Sequence, residues 1–270
     1  MLQKRLIASL LCREGWVVQS IGFRHTNVIG NAITAVDFFN TWAIDEIVVL
    51  DVSLDLKSRG KFYQIIEDLS ERCFVPLTVG GWVRSIDEIR ELLALGADKV
   101  TINTEGIERP GFLEEAADVF GSQCVVCSID ARRGADGKAE VFADRGRKPV
   151  GRDAVSWARE AQALGAGEIY LTSIDQDGSQ EGYDLELVRS VAQEVDVPVV
   201  AFGGVGHWAH LVEGIENGAE AVAVGNAFHF IEHSTRRAKE HMVDVGLDVR
   251  ETVFYKTRAP RRPIYLQYEY

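Results

Sequence analysis

Val75-Pro76-Leu77-Thr78-Val79-Gly80-Gly81 recurs later in the chain as Val197-Pro198-Val199-Val200-Ala201-Phe202-Gly203-Gly204. The two prolines are 198 − 76 = 122 residues apart. Two further segment pairs have the same offset: residues 96–100 with 218–222, and 45–50 with 167–172. An offset near half of the 270 residues is too long for a solenoid repeat. The sequence therefore predicts two fused half-domains.

Short runs rich in Val and Ile alternate with longer amphipathic segments along the chain. Strands are predicted at residues 5–10, 46–51, 76–79, 99–103, 124–130, 168–173, 198–202 and 221–225. Helices are predicted at residues 32–42, 62–72, 86–95, 112–120, 154–164, 185–194 and 209–217. Eight strands that alternate with helices are typical of an α/β fold in which a parallel sheet closes on itself. The fold class expected is a (β/α)8 TIM barrel built from two repeated half-barrels.

The domain organisation expected is a single barrel. No linker rich in Pro, Ser or Gly divides the chain, so the barrel is predicted to span residues 1–255, with half-barrels at about 1–121 and 122–255. Residues 132–153 are polar and are predicted to form an excursion after the fifth strand. Residues 256–270 form a basic and aromatic C-terminal tail, interpreted either as solvated or as a segment that docks a partner.

Composition excludes several classes of function. A formal net charge of −12 disfavours nucleic acid and anionic membranes as partners, and no stretch reaches the ~18 apolar residues of a spanning helix. The six histidines form no group with a third ligand, so neither a metal site nor another cofactor is expected. The four cysteines are interpreted as core thiols of a cytoplasmic protein: Cys12, Cys73, Cys124 and Cys127.

Glycines and small polar residues end several of the predicted strands. Glycine lets backbone N–H groups approach an anion closely, and the start of a following helix favours negative charge. A phosphorylated small molecule is therefore the expected ligand at the carboxyl ends of the strands. The expected binding residues are Gly81, Asn103 and Thr104 in the first half, and Asp177, Gly178, Gly203, Gly204, Gly225 and Asn226 in the second.

Several motifs together carry a resemblance to a known family. They include Lys4-Arg5, Ile102-Asn103-Thr104, Ser128-Ile129-Asp130, Thr172-Ser173-Ile174-Asp175 and Gly182-Tyr183-Asp184. From the start of the chain to about residue 249, the sequence resembles the cyclase subunit of imidazole glycerol phosphate synthase, from histidine biosynthesis. The resemblance implies that ammonia from a separate class I glutaminase enters the bottom of the barrel. At the top of the barrel, the subunit would use this ammonia to split and cyclise a bis-phosphorylated ribulosyl substrate.

The resemblance also implies two catalytic aspartates, one ending the first strand and one ending the fifth. Asp130 matches the second, whereas Leu11 stands at the first and cannot transfer a proton. Losing a positioned acid or base costs roughly 10²- to 10⁴-fold in rate. Gln19 stands where the family has a loop lysine, Trp82 replaces the third glycine of a phosphate-binding run, and Phe202 replaces a phosphate-binding serine. The cyclase site is therefore expected to be impaired.

The bottom of the barrel matches the family more closely. The family's ring of four charged residues, which gates ammonia, corresponds to Arg5, Glu46, Lys99 and Glu168. Two acids and two bases are costly to desolvate unless they pair, which favours alternating sign around the ring. Asp98, which in the family faces the glutaminase, is also present, whereas Tyr170 is bulkier than the family's channel residue. The inward residues that leave a narrow path above the ring are Ser9, Val48, Thr78, Thr101 and Ser128.

Together these features predict a barrel subunit of a glutamine-dependent amidotransferase complex, in a heterodimer formed through the lower barrel face. The pattern resembles the diverged paralogue of the cyclase subunit found with surface-polysaccharide genes, in which a separate sugar amidotransferase uses the ammonia to make acetamidino sugars. Two alternatives remain open. One is an active cyclase subunit of histidine biosynthesis that uses a substitute carboxylate, and the other is a non-catalytic scaffold that assembles partners.

Overall fold

The computed structural model describes residues 3–41, 44–134, 136–230 and 234–250. The tail predicted at residues 256–270 lies outside these ranges. The strands described are β1 (Arg5–Arg13), β2 (Trp16–Ile21), β3 (His25–Gly30), β4 (Glu46–Asp51), β5 (Leu77–Gly80), β6 (Lys99–Ile102), β7 (Val125–Arg133), β8 (Ala139–Ala143), β9 (Lys148–Asp153), β10 (Glu168–Ser173), β11 (Val199–Phe202) and β12 (Ala221–Val224).

Helices follow most of the barrel strands. They are α1 (Ala32–Thr41), α2 (Arg59–Ser70), α3 (Ile86–Ala94), α4 (Thr104–Glu108), α5 (Gly111–Phe120), α6 (Ala154–Ala163), α7 (Leu185–Ala192), α8 (Ala209–Glu216), α9 (Ala227–Phe230) and α10 (Ser234–Asp244). None of the helices in the described ranges is long and apolar enough to cross a membrane.

Eight of the strands close a parallel barrel in the order β1, β4, β5, β6, β7, β10, β11, β12. The barrel closes because β12 pairs with β1 and because β7 pairs with β10. Four barrel strands belong to each of the two repeated halves. The predicted (β/α)8 architecture is therefore confirmed.

The barrel strands are buried on both faces, as expected for parallel strands covered by helices. Their outward residues pack against the helices in the main hydrophobic core. Their inward residues form a second core that fills the barrel: Ile7, Val48, Val126, Tyr170, Val200, Phe202, Ala221 and Ala223. Successive side chains on a strand alternate between its two faces. The inward positions of each strand therefore also determine which side chains lie at the two ends of the barrel interior.

Strands β1 and β7 are longer than predicted and continue into hairpins above the barrel. The excursion predicted after the fifth strand is the hairpin β8–β9, which pairs with β7. A matching hairpin, β2–β3, extends β1, and the prediction that strand one ends at residue 10 was wrong. Its sequence signal is Glu14-Gly15, whose φ angles of 54° and 96° form the tight turn between β1 and β2.

The cysteines are all free thiols. Cys124 lies in a short 3-10 helix rather than in the predicted strand, which begins at Val125. Cys12 and Cys127 are buried, and burial raises the pKa of each thiol to about 12. Protonated, buried thiols are poor nucleophiles and poor metal ligands.

Candidate functional site

Two cavities open at the carboxyl ends of the barrel strands, the end at which (β/α)8 enzymes bind ligands. The larger has a volume of about 660 Å³ and is lined by Asp130, Trp82 and residues of the β8–β9 hairpin. The smaller has a volume of about 120 Å³, and five glycines are among the residues that line it. Leu11 and Phe202 line both cavities and form the boundary between them.

Asp130 is the acid best placed for proton transfer in the larger cavity. Four other acids line that cavity, and each pairs with a cation: Asp51 with Arg59, Glu105 with Arg109, Glu108 with Lys148, and Asp144 with Arg145 and Arg147. Asp130 instead accepts a hydrogen bond of 3.3 Å from the side chain of Asn103. Burial raises its pKa to about 7, against a lowering effect from the Thr172 hydroxyl. A carboxyl group with that pKa can act as an acid or a base at neutral pH.

We expect Asp130→Asn to stabilise the protein at pH 8 and to leave its stability unchanged at pH 4. The raised pKa makes the charged carboxylate unfavourable in the folded state, so the wild type loses stability as pH rises from about 4 to about 7. Raising the pKa of a carboxyl group from its usual value near 4 to about 7 corresponds to about 4 kcal/mol. Because the side chain is only half-buried, we expect about 2 kcal/mol.

Urea unfolding of the wild type and of Asp130→Asn at both pH values measures this difference. A variant that follows the wild type across the whole range would show that the Asp130 pKa is not raised.

Leu11 stands at the position that the resemblance assigns to a second catalytic aspartate. It lies at the carboxyl end of β1, in register with Leu50 of β4 and with Val18 of β2. Its side chain lines both cavities and faces the space in which a ligand would lie. The site therefore offers an acid on strand β7 and an apolar wall on strand β1.

The second-half residues predicted to bind phosphate all line the smaller cavity, which we call the glycine cradle. The cradle contains Asp177, Gly178, Gly203, Gly204, Gly225 and Asn226. Gly204 has a φ of +102°, and a Cβ there would lie 2.0 Å from the carbonyl oxygen of Gly182. No residue with a side chain fits at this position. Phe202 reaches the cradle as well, because a Cβ on Gly225 would lie 3.5 Å from its ring.

The hairpin β2–β3 is anchored beside the glycine cradle. The carboxylate of Asp177 accepts hydrogen bonds from the Ser20 hydroxyl at 2.7 Å and from the backbone N–H of Phe23 at 3.1 Å. Asn226 donates from its side chain to the Ser20 carbonyl at 2.9 Å. Asp177 and Asn226 therefore hold the hairpin, and five glycines contribute backbone to the lining of the cradle.

The first-half residues predicted to bind phosphate, Gly81, Asn103 and Thr104, line the larger cavity. Asn103 and Thr104 are already bonded, since Asn103 donates to the Ser128 carbonyl and the Thr104 hydroxyl accepts from the backbone of Asp144. The next residue after Gly81 is Trp82, which the offset of 122 aligns with Gly204. Trp82 has a φ of +59°, a left-handed conformation that glycine adopts without strain and tryptophan does not. Its indole lines the larger cavity, and the indole N–H donates to the carbonyl of Ser53 at 3.0 Å.

Six cationic side chains in the larger cavity were missed in the sequence interpretation. They are Arg13, Arg24, Arg84, Arg145, Arg147 and Lys148. The available signal was the basic run Arg145-Gly146-Arg147-Lys148 at the tip of the β8–β9 hairpin, which was interpreted only as a polar excursion. The tip reaches the first half of the barrel, where Arg145 donates to the carbonyl of Ser53.

The four charged residues predicted at the bottom of the barrel form a closed ring of ion pairs. Arg5 pairs with Glu46 at 2.6 Å and with Glu168, and Lys99 pairs with Glu46 at 3.1 Å and with Glu168 at 2.8 Å. The side chains of Glu46 and Glu168 are only 3% and 8% exposed. Thr78 donates a further bond of 2.7 Å to Glu46. Each acid therefore bridges both bases, and the ring closes the lower end of the barrel.

Tyr170 closes the barrel interior above the ring. Its hydroxyl lies 2.6 Å from the hydroxyl of Ser9, which belongs to a strand on another side of the barrel. Its ring centroid lies 5.3 Å from that of Phe202, which in turn reaches both upper cavities. From bottom to top, the barrel interior therefore contains the charged ring, the Tyr170–Ser9 pair and Phe202.

These features define a (β/α)8 barrel whose candidate ligand site lies at the carboxyl ends of its strands, with a ring of ion pairs at the opposite end. A family model described as "Histidine biosynthesis protein" matches residues 5–234. The chain therefore belongs to this family of histidine-biosynthesis barrels, consistent with the resemblance to the cyclase subunit.

Proposed function

We propose that this chain is the barrel subunit of a glutamine-dependent amidotransferase complex. In the cytoplasm, it receives ammonia from a partner glutaminase at its lower face. It passes this ammonia to a separate sugar amidotransferase, which amidinates sugars for surface-polysaccharide biosynthesis. The observation that carries this proposal is a contrast between the two ends of one barrel. The ring of Arg5, Glu46, Lys99 and Glu168 is complete at the bottom, while Leu11 faces the ligand site at the top.

The ring supports a role in admitting a small polar molecule. Its four side chains close the barrel through ion pairs rather than through apolar packing, and Arg5 and Lys99 remain 27% and 20% exposed on the outer side. An apolar plug of similar volume would be at least as stable, because buried ion pairs rarely gain net stability over hydrophobic residues. In the proposed complex, one ion pair of the ring breaks transiently. Each of the two side chains in that pair stays bound to its other neighbour in the ring.

The Tyr170–Ser9 pair is the second closed point on the proposed path. Ammonia passes only when the Tyr170 ring turns aside, which breaks one hydrogen bond and displaces its contact with Phe202. The path is therefore gated twice, first by charge and then by an aromatic side chain.

The lower face offers two contacts for a partner subunit. Asp98 is exposed next to the ring, and one of its oxygens accepts from the backbone N–H of Leu77 at 2.8 Å, which fixes the direction of the carboxylate. Phe74, in the loop that leads into β5, is 81% exposed. Exposed aromatic residues of this kind commonly anchor protein–protein interfaces.

The experiment is to mix the chain with a class I glutaminase as the candidate partner and to measure both complex formation and glutamine hydrolysis. We expect a complex in which hydrolysis is stimulated, and we expect Asp98→Ala or Phe74→Ala to weaken it, whereas Asp87→Ala, an exposed change on α3, has no effect. Absence of both binding and stimulation would refute the proposal. Glu168→Gln separates a conduit from a scaffold, because only a conduit loses ammonia coupling when binding is retained.

One observation favours the alternative of an active cyclase. Asp130 has a pKa of about 7 in a cavity large enough for a phosphorylated substrate, so half of an acid/base pair is in place. Product analysis of the complex distinguishes the two functions.

A further inference from the structure

Ser53 connects three other segments of the chain to the loop after β4, at the rim of the larger cavity. Its hydroxyl accepts a hydrogen bond of 3.0 Å from the backbone N–H of Glu14, in the turn between β1 and β2. Its carbonyl accepts from the indole N–H of Trp82 at 3.0 Å and from the side chain of Arg145. One buried residue thus holds the β1–β2 turn, the loop after β5 and the tip of the β8–β9 hairpin side by side.

Large apolar side chains are exposed beside this junction. Trp16, at the start of β2, is 53% exposed, and Leu54 and Leu56, in the loop after β4, are 55% and 47% exposed. Leu54 lines the larger cavity, whereas Trp16 and Leu56 are not among the described residues that line either cavity. A small ligand in the cavities would therefore leave both of them in water. Tryptophan is among the residues that contribute most to the affinity of protein–protein interfaces.

Arginine side chains continue the same rim on the other side of Ser53. The guanidinium carbons of Arg84 and Arg145 lie 4.9 and 5.0 Å from the centroid of the Trp82 indole ring, within the range of cation–π contacts. Arg145 and Arg147 share one carboxylate, that of Asp144, with contacts of 2.9 and 2.7 Å. Among the described contacts, the guanidinium of Arg84 has the Trp82 ring and no carboxylate. The arginines therefore outnumber the acids that pair with them.

The acids that stand next to the exposed apolar residues in the chain do not cancel this positive charge. Glu14 pairs with Arg13 at 3.7 Å, and Asp55 pairs with Lys57 at 3.4 Å. The surface is thus locally cationic in a protein whose net charge is −12, and it attracts an acidic partner surface. We call it the rim patch, which consists of Trp16, Leu54, Leu56, Arg84, Arg145 and Arg147.

We propose that the rim patch docks an acidic surface of the acceptor enzyme, the sugar amidotransferase. This inference rests on the proposed function, because it names the surface through which the ammonia is handed on. Ammonia released into water takes up a proton at neutral pH and loses the lone pair with which it attacks a carbon. Four residues of the rim patch also line the larger cavity, so an acceptor bound there covers the mouth from which ammonia leaves: Leu54, Arg84, Arg145 and Arg147.

The test measures the binding of the isolated chain to a sugar amidotransferase of surface-polysaccharide biosynthesis by surface plasmon resonance. No glutaminase is present, so failure to dock the acceptor and failure to stimulate a glutaminase are distinguishable. We expect saturable binding that weakens at least about tenfold when the ionic strength rises from about 0.1 M to about 1 M. This change shortens the screening length from about 10 Å to about 3 Å.

Two variants of the rim patch separate its apolar and its cationic contributions. Trp16→Ala and the double variant Arg84→Gln/Arg147→Gln are each expected to raise the Kd at least about tenfold. The double variant should also lose most of the salt dependence. Trp16→Ala should stimulate a class I glutaminase as the wild type does, because that partner binds at the opposite end of the barrel.

The matched controls are Val243→Ala, an exposed apolar residue on α10, and Arg90→Gln, an exposed arginine on α3. Absence of binding by the wild type would overturn the proposal, and so would rim-patch variants that bind as the wild type does. An equal loss in Arg90→Gln would overturn it as well, because the effect would then come from overall charge. A dimer of the chain in sedimentation velocity that Trp16→Ala abolishes would contradict it too, since the patch would then join two copies.

Discussion

Leu11→Asp is expected to raise cyclase activity of the isolated chain by about 10²- to 10⁴-fold, with ammonium salt as the nitrogen source. The substitution places a carboxylate at the end of β1, where the side chain lines the same cavity as Asp130. With an acid on each side of the cavity, one group can accept a proton while the other donates one. The gain is expected mainly in kcat, because the glycines and Asn226 of the cradle are unchanged.

The matched control is Leu11→Asn, which has the size and polarity of the aspartate without its proton chemistry and should stay inactive. The double variant Leu11→Asp/Asp130→Asn should also lose the gain. Steady-state formation of the imidazole product from the bis-phosphorylated ribulosyl substrate measures all four proteins. Equal activity in the wild type and in Leu11→Asp would show that the missing carboxylate at this position does not limit the reaction.

Glu46→Leu is expected to lower the free energy of unfolding by about 3 kcal/mol. Glu46 is almost fully buried and pairs with Arg5 at 2.6 Å and with Lys99 at 3.1 Å. Its removal leaves two cations at the lower end of the barrel with one remaining acid, Glu168. The loss falls at the low end of the range for buried pairs because both cations are partly exposed and can reach water.

The control is Glu220→Leu, since Glu220 also pairs with a cation near the start of β1, Lys4, at 2.7 Å, but is 43% exposed. Such surface ion pairs contribute little to the free energy of unfolding, so this variant should unfold almost as the wild type does. Urea titration monitored by circular dichroism compares the three proteins. If both variants lose the same small amount of unfolding free energy, the ring makes no special contribution to the stability of the closed barrel.

The barrel itself could be predicted from sequence because its information is local and repeated. Short runs of strand-forming residues such as Glu168–Ser173 can be recognised without knowledge of their neighbours, and the offset of 122 residues shows that the pattern occurs twice. The charged ring was predicted from the resemblance to the cyclase subunit. Strand periodicity adds that Arg5, Glu46, Lys99 and Glu168, each near the start of a strand, can point inward.

The cavity lining could not be predicted in the same way because it depends on where the loops fold back. Arg145 is 92 residues from Ser53, to whose carbonyl it donates, and no sequence periodicity links them. Residues 16–30 were not interpreted as a hairpin, so the bonds from Ser20 to Asp177 and from Asn226 to Ser20 were not expected either. Trp82 was expected to block a phosphate site, but its role in holding Arg84 and Arg145 required the structure.

In the proposed function, ammonia released by the glutaminase is not consumed by cyclisation at the upper end of this barrel. The most direct test is to supply the complex of chain and glutaminase with glutamine and the bis-phosphorylated ribulosyl substrate, and to quantify glutamate, free ammonia and imidazole product. We predict that free ammonia accumulates in a one-to-one ratio with glutamate and that no imidazole product forms. Imidazole product formed in a one-to-one ratio with glutamate would contradict the account and identify the chain as an active cyclase subunit.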